Sequence, residues 1–220
     1  MAPGIATDAN LFALPPGLPR PEDDGAARHL EGARIPSVRL RSTRGGSVDV
    51  AEAARRWSVF VCYPATVAPG LPIPGEWSEV PGARGCTLQN CRYRDEFEEF
   101  AREGADVYGV STQGQDPLRG LAEQIEFAER VRLPYPLLND SEFALTNALR
   151  LPTFTVALRA PEVEFEGRRH AFPLQGRTLL KRLTYVAHGG RIVRVFYPVF
   201  PPDRNADEVL EFLRGRRADR

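Results

Sequence analysis

Trp57-Ser58-Val59-Phe60-Val61-Cys62 is the stretch whose reading decides the fold. It is β-prone and almost free of polar residues, so a strand built from it is buried on both faces, as at the centre of a parallel sheet. Upstream, Ser37-Val38-Arg39-Leu40-Arg41 alternates apolar and polar residues, the pattern of a half-buried strand. Residues 43–46 supply a turn and Ser47-Val48-Asp49-Val50 a short return strand. Downstream, residues 63–85 carry five prolines (Pro64, Pro69, Pro72, Pro74 and Pro81) and no periodicity. Irregular loops of that length are more often functional than neutral. Cys86 to Glu103 then reads as a helix with Tyr93, Phe97, Phe100 and Ala101 on one face.

Farther along, residues 106–111 form a second buried-strand candidate. Asp116 and Pro117 open a helix as N-cap and first-turn proline, with Leu118, Leu121, Ala122, Ile125 and Ala128 expected inward. Residues 136–138 suit a short edge strand, and Asp140 or Ser141 caps a short helix to Arg150. Residues 151–178 read as an irregular insertion or loose hairpin. Residues 183–187 and 191–196 flank His188-Gly189-Gly190, a strong hairpin signal. Asn205 with Glu208 reads as a capping box opening a last helix that buries Val209, Leu210, Phe212 and Leu213. From residue 57 the order is β-α-β-α-(α)-β-β-α. A parallel βαβ start and an antiparallel hairpin finish make an α/β, thioredoxin-like fold, a central mixed sheet flanked by helices. Residues 1–30, with five prolines, are expected to be an arm lying on the surface or disordered, and 31–216 a single domain.

The 29 basic and 29 acidic side chains cancel, so the chain lacks the basic footprint of a nucleic-acid binder. No apolar run approaches the ~18 residues of a transmembrane helix, and the first residues lack the pattern of a secretory signal. Three cysteines are too few for a disulfide-stapled fold, and a cytoplasmic enzyme is expected.

Two of the three cysteines lie in Gly85-Cys86-Thr87-Leu88-Gln89-Asn90-Cys91. Cys86 falls at a helix N-terminus, where unpaired amides favour a thiolate, the nucleophilic form. Five residues on, Cys91 stands roughly 8.6 Å away between Cα atoms in an unbroken helix. Disulfides rarely bridge more than about 7 Å, so a Cys86–Cys91 bond requires local unwinding. Alternatively, both thiols are inert packing groups, as Cys62 is expected to be. A zinc site needs four ligands, and no histidine is near in sequence; His29, His170 and His188 read as surface or turn residues. No cofactor or metal is called for.

The run Gly85-Cys86-Thr87, Cys91, Arg94-Asp95 resembles the active-site signature of the Q-type peroxiredoxins, also called bacterioferritin comigratory proteins. Residues 59–64, 108–112 and 182–192 resemble that family's first strand, second strand and hairpin. The resemblance implies a thiol-dependent peroxidase of the atypical two-cysteine kind. Cys86 would attack a hydrogen peroxide or organic hydroperoxide, Cys91 would resolve the sulfenic acid as a disulfide, and Arg182 would face the thiolate. A thioredoxin-like or other dithiol would restore both thiols, in a monomer or homodimer. The chain departs from the family in several places. Ala83 stands where a threonine or serine is usual, three residues before Cys86, and Arg84 where proline is usual. Gln89 replaces a glutamate and Tyr93 a phenylalanine. Thr66 folded back, or Arg84 with backbone amides, are the candidates for replacing the missing hydroxyl. The competing functions are a thiol–disulfide oxidoreductase and a non-catalytic thioredoxin-fold interaction module.

Overall fold

The structure, a computed structural model, describes residues 4–5, 11–114 and 116–218. After the short strand Gly4–Ile5 (β1), Arg39–Ser42 (β2) and Ser47–Asp49 (β3) pair around the expected turn. Asp49 caps Val50–Ala53 (α1) by accepting from the Glu52 amide. Trp57–Cys62 (β4) is buried from Ser58 onward, as an unalternating apolar run requires. In the proline-rich stretch, Pro72–Ile73 (β5) pairs with β1 and is followed by a 3-10 turn at Gly75–Glu79.

The helix expected over 86–103 is two helices, Cys86–Asp95 (α2) and Phe97–Arg102 (α3), broken where Glu96 adopts φ −96°, ψ 8°. The break keeps Phe97 and Phe100 packed on the core but turns Ala101 out to solvent, against expectation. Ala105–Ser111 (β6) follows. Pro117–Arg130 (α4) starts as expected, with the Asp116 carboxylate accepting from the Leu118 and Arg119 amides. Its buried face is different: Gly120, Gln124 and Phe127 point inward, whereas Leu118 is 69% exposed and Ala122 is exposed. Close backbone approach rotates the helix. A Cβ at Gly120 would lie 2.3 Å from the Gln113 carbonyl, and Gln124 donates to Tyr63 Oη at 3.1 Å.

Leu137–Asn139 (β7) is an interior strand, not an edge. The sheet order is β13-β12-β4-β6-β7-β2-β3, because the β2–β3 hairpin extends the sheet beyond β7. Buried Asp140 caps Ala144–Leu149 (α5), accepting from the Leu145 and Thr146 amides at 3.0 and 2.8 Å. The stretch 151–178 is a two-tier hairpin. Thr153–Thr155 (β8) pairs with Thr178–Leu180 (β11), and Glu162–Phe165 (β9) with Arg168–Ala171 (β10). Leu183–His188 (β12) and Arg191–Phe196 (β13) form the Gly-Gly hairpin, and Asn205–Ala218 (α6) closes the fold. His188 lies in β12, stacked on Trp57 with ring centroids 4.3 Å apart, rather than in the turn. Because β4, β6 and β7 are parallel and the others antiparallel, the sheet is mixed.

Residues of β4 alternate between two cores. Val59 and Val61 meet Tyr93 and Phe100 of α2 and α3, Phe127 of α4, and Val209, Leu210 and Leu213 of α6. Phe60 and Cys62 meet Leu40, Leu145, Leu149 and Tyr185 on the opposite face. Ala27 and Leu30 are buried in this second core, so the last residues of the 1–30 arm are anchored in the body of the fold. A third cluster joins the two irregular stretches: Trp77 of the proline-rich loop packs on Phe172 at 5.3 Å between ring centroids.

Candidate active site

Cys86 is the first residue of α2 and only 5% exposed. Gly85 before it adopts φ +97°, and a Cβ there would lie 2.5 Å from Pro202 Cγ and 2.9 Å from Leu14 Cδ2. Glycine is required on both counts. Arg182, immediately before β12, is 97% buried beneath this turn. Its Nη2 donates to the carbonyl oxygens of Gly82 (3.1 Å) and Arg84 (3.0 Å) and approaches Cys86 Sγ at 3.2 Å. Its Nη1 donates to Gln89 Oε1. These partners are neutral carbonyls, an amide and one sulfur. Gln89, standing where the resembled family has glutamate, therefore leaves the guanidinium charge uncompensated by a carboxylate on that side. The sulfur is where that charge acts.

Gln89 is itself fixed by donating to Asn205 Oδ1 at 3.1 Å. The same oxygen accepts from Tyr93 Oη (2.8 Å) and Thr184 Oγ1 (2.6 Å). Asn205 is thus not the N-cap expected from the capping-box spacing. It is fully buried with helical backbone and spends its side chain supporting the Arg182 anchor. That role has no local sequence signal, since its partners lie on α2 and β12.

Cys91 sits farther along α2, 3% exposed in the first core, and burial pushes its thiol up to about 11. All three cysteines are free. Cys62, on the other face of the sheet, is raised further by burial and takes no part in the pair. Between Cys86 and Cys91 the helix is tied down by side chains. Asn90 Nδ2 donates to the Cys86 carbonyl at 2.9 Å, and Tyr135 Oη donates to Asn90 O at 2.8 Å and lies 3.0 Å from Asn90 Oδ1.

A recess of about 20 Å³ opens onto Cys86. Ala65 and Val67 line it, while the intervening Thr66 turns away and donates through both its amide (2.9 Å) and its hydroxyl (3.2 Å) to Gln113 Oε1. Thr66 therefore does not replace the missing hydroxyl. Arg84 lines the recess as anticipated, and burial lowers it from its ordinary value. The hydroxyl-bearing residue in the wall is Thr87, next to the cysteine in the motif.

Residues 80–166, including both cysteines of the pair, match the AhpC/TSA family. Over 211 residues the chain is 30% identical to a chloroplastic peroxiredoxin Q of Gentiana triflora, covering 93% of this chain and 78% of that protein. The chain belongs to the peroxiredoxin Q family. It is accordingly a thiol-dependent peroxidase. A second chloroplastic peroxiredoxin Q, from Suaeda salsa, is 29% identical over 96% of this chain and 81% of its own length. These plastid proteins do not support the cytoplasmic location expected from composition.

Among solved structures, the peroxidoxin BcpB of Mycobacterium tuberculosis superimposes with a TM-score of 0.58 at 23% identity, over 84% of this chain and 97% of that one. Peroxiredoxin Q of Xanthomonas campestris gives 0.57 at 21%, over 84% and 96%. The thioredoxin-like fold expected for this peroxidase is thereby borne out. Among the described residues no helix is long and apolar enough to cross a membrane.

Proposed function

We propose that Cys86 is the peroxidatic residue of this peroxidase, Cys91 the resolving one, and Arg182 the group that holds both thiolate and peroxide. The observation that carries this reading is the buried Arg182 Nη2, 3.2 Å from Cys86 Sγ at the start of a helix. The thiolate attacks the terminal oxygen of a hydroperoxide ROOH. An S–O bond forms, the O–O bond breaks, and the leaving alkoxide takes a proton to depart as ROH, or as water from hydrogen peroxide. The guanidinium, fixed by three carbonyl-type acceptors, stabilises charge as it moves from sulfur to the leaving oxygen without having to reorganise.

The first turns of α2 then unwind, and the Cys91 thiol condenses with the sulfenic acid. An S–S bond forms and water leaves. A dithiol protein reductant exchanges with the disulfide, leaving Cys86 and Cys91 reduced and itself oxidised. In the test, reduced protein is mixed with a stoichiometric amount of hydrogen peroxide and peroxide loss is followed. Wild type consumes it rapidly and Cys86→Ser does not. Equal, slow loss in both proteins overturns the assignment.

A further inference from the structure

We propose that Leu11, carried on the N-terminal arm, is the outer wall of the peroxide recess and sets the size of hydroperoxide that reaches Cys86. This inference rests on Cys86 being the peroxidatic residue. The recess measures about 20 Å³, little more than a single water requires. A space of that size holds the reacting peroxide end of a substrate, so an aromatic or branched alkyl group attached to it must lie at the mouth of the recess, against the residues that line it. Its inner wall belongs to the packed cluster of Ala65, Ile73, Trp77 and Ala83 and cannot retreat without breaking that core. Leu11 is different. It reaches the recess from a segment outside any sheet, it is only half-buried, and the next residues, Phe12 and Ala13, are exposed.

The arm is held in place over the site. Leu14 rests on Gly85, directly before the cysteine. Arg20 lies over the Phe200 ring, 5.6 Å from its centroid. Asp24 is clamped by Lys181 at 2.5 Å and by Tyr197 Oη at 2.8 Å. The clamp adjoins Arg182 in sequence, so the arm is anchored beside the catalytic arginine and crosses toward the sulfur. Its prolines at 15, 16, 19 and 21 stiffen the crossing. Among the side chains at the mouth, Leu11 is the one carried on this stiff strap rather than on the body of the fold.

The experiment uses the full chain with Leu11→Ala, which deletes three carbons from the wall. Two ratios are read: kcat/KM for cumene hydroperoxide over that for hydrogen peroxide, and the rate of Cys86 labelling by a bulky aromatic maleimide over that by iodoacetamide. Both are expected to rise about tenfold, the usual scale of discrimination by a few carbons in a pocket. If both ratios stay at the wild-type value, the proposal is overturned. Leu18→Ala, on the same arm but outside the recess, is expected to leave both ratios unchanged. An equal rise there overturns the specific assignment to Leu11. The labelling ratio needs no peroxidase activity. If wild type proves inert toward peroxide while Leu11→Ala still raises bulky labelling, the wall stands and the catalytic reading of Cys86 falls.

Discussion

Tyr135→Phe is expected to accelerate disulfide formation between Cys86 and Cys91. In the reduced protein the buried Tyr135 hydroxyl donates to the carbonyl of Asn90 and lies beside its side-chain oxygen, at 2.8 and 3.0 Å. Asn90 in turn ties the Cys86 carbonyl at 2.9 Å, and all of these contacts lie within the stretch that has to unwind. An α-helical spacing of roughly 8.6 Å between the two Cα atoms must contract to about 5.5–6 Å for the S–S bond. The phenol stabilises only the wound state, because in the unwound state water satisfies the same groups. Its net worth is about 0.5–1.5 kcal/mol, so removing it brings the unwound state closer by that amount. At 1.36 kcal/mol per tenfold, disulfide formation should quicken about two- to thirteenfold. The assay mixes reduced protein with one equivalent of hydrogen peroxide, quenches with an alkylating agent at set times, and counts remaining thiols by mass. The variant should also resist over-oxidation of Cys86 at high peroxide, because its sulfenic acid persists for less time. A folded Tyr135→Phe protein that closes the disulfide at the wild-type rate or slower refutes the argument that unwinding of this segment limits the step.

Two further outcomes follow from the same contacts. Asn205→Ala strips the shared acceptor from Gln89, Tyr93 and Thr184 at once; with roughly 1–3 kcal/mol for each stranded donor, partly recovered by relaxation, a loss of about 3–5 kcal/mol is expected in denaturant titration. A loss below about 1 kcal/mol would show that the network does not hold Arg182 in place. Because burial raises Cys91 to about 11, its native thiolate fraction climbs tenfold per pH unit up to that value. Alkylation of native protein at pH 8 should therefore leave Cys91 unlabelled, whereas in urea it labels readily; prompt native labelling at pH 8 contradicts its burial.

Much of the fold was legible because its signals are local. The apolar run at 57–62, the Asp116-Pro117 helix start and the Gly189-Gly190 turn each state their structure within a few residues, and each stands where it was expected. The errors share another cause. Helix α4 turns Leu118 and Ala122 outward because a glycine and a glutamine are needed where it meets the 113–114 loop and β7. Asn205 has the spacing of a cap yet serves a buried network. Leu137–Asn139 is short enough for an edge but is enclosed by a hairpin from elsewhere in the chain.

The cysteine pair could be read in sequence because five residues of helix fix the separation of two thiols whatever surrounds them. Arg182 as the partner of Cys86 came from the family resemblance alone, with no spacing or local pattern to single it out among the arginines. Arg182 is 96 residues away, and only the pairing of β12 with β4 brings it beneath the turn at Gly85. The same holds for Thr66, whose hydroxyl was a candidate until the backbone alternation at 65–67 sent it to Gln113. The sequence by itself determined the central buried strand, the Gly-Gly hairpin and the need for unwinding before Cys86 and Cys91 can bond. Tertiary structure alone decided how Arg182 is held against the sulfur, that the Thr66 hydroxyl does not reach it, and that a proline-rich arm lies across the entrance, since those contacts join segments that share no local signal.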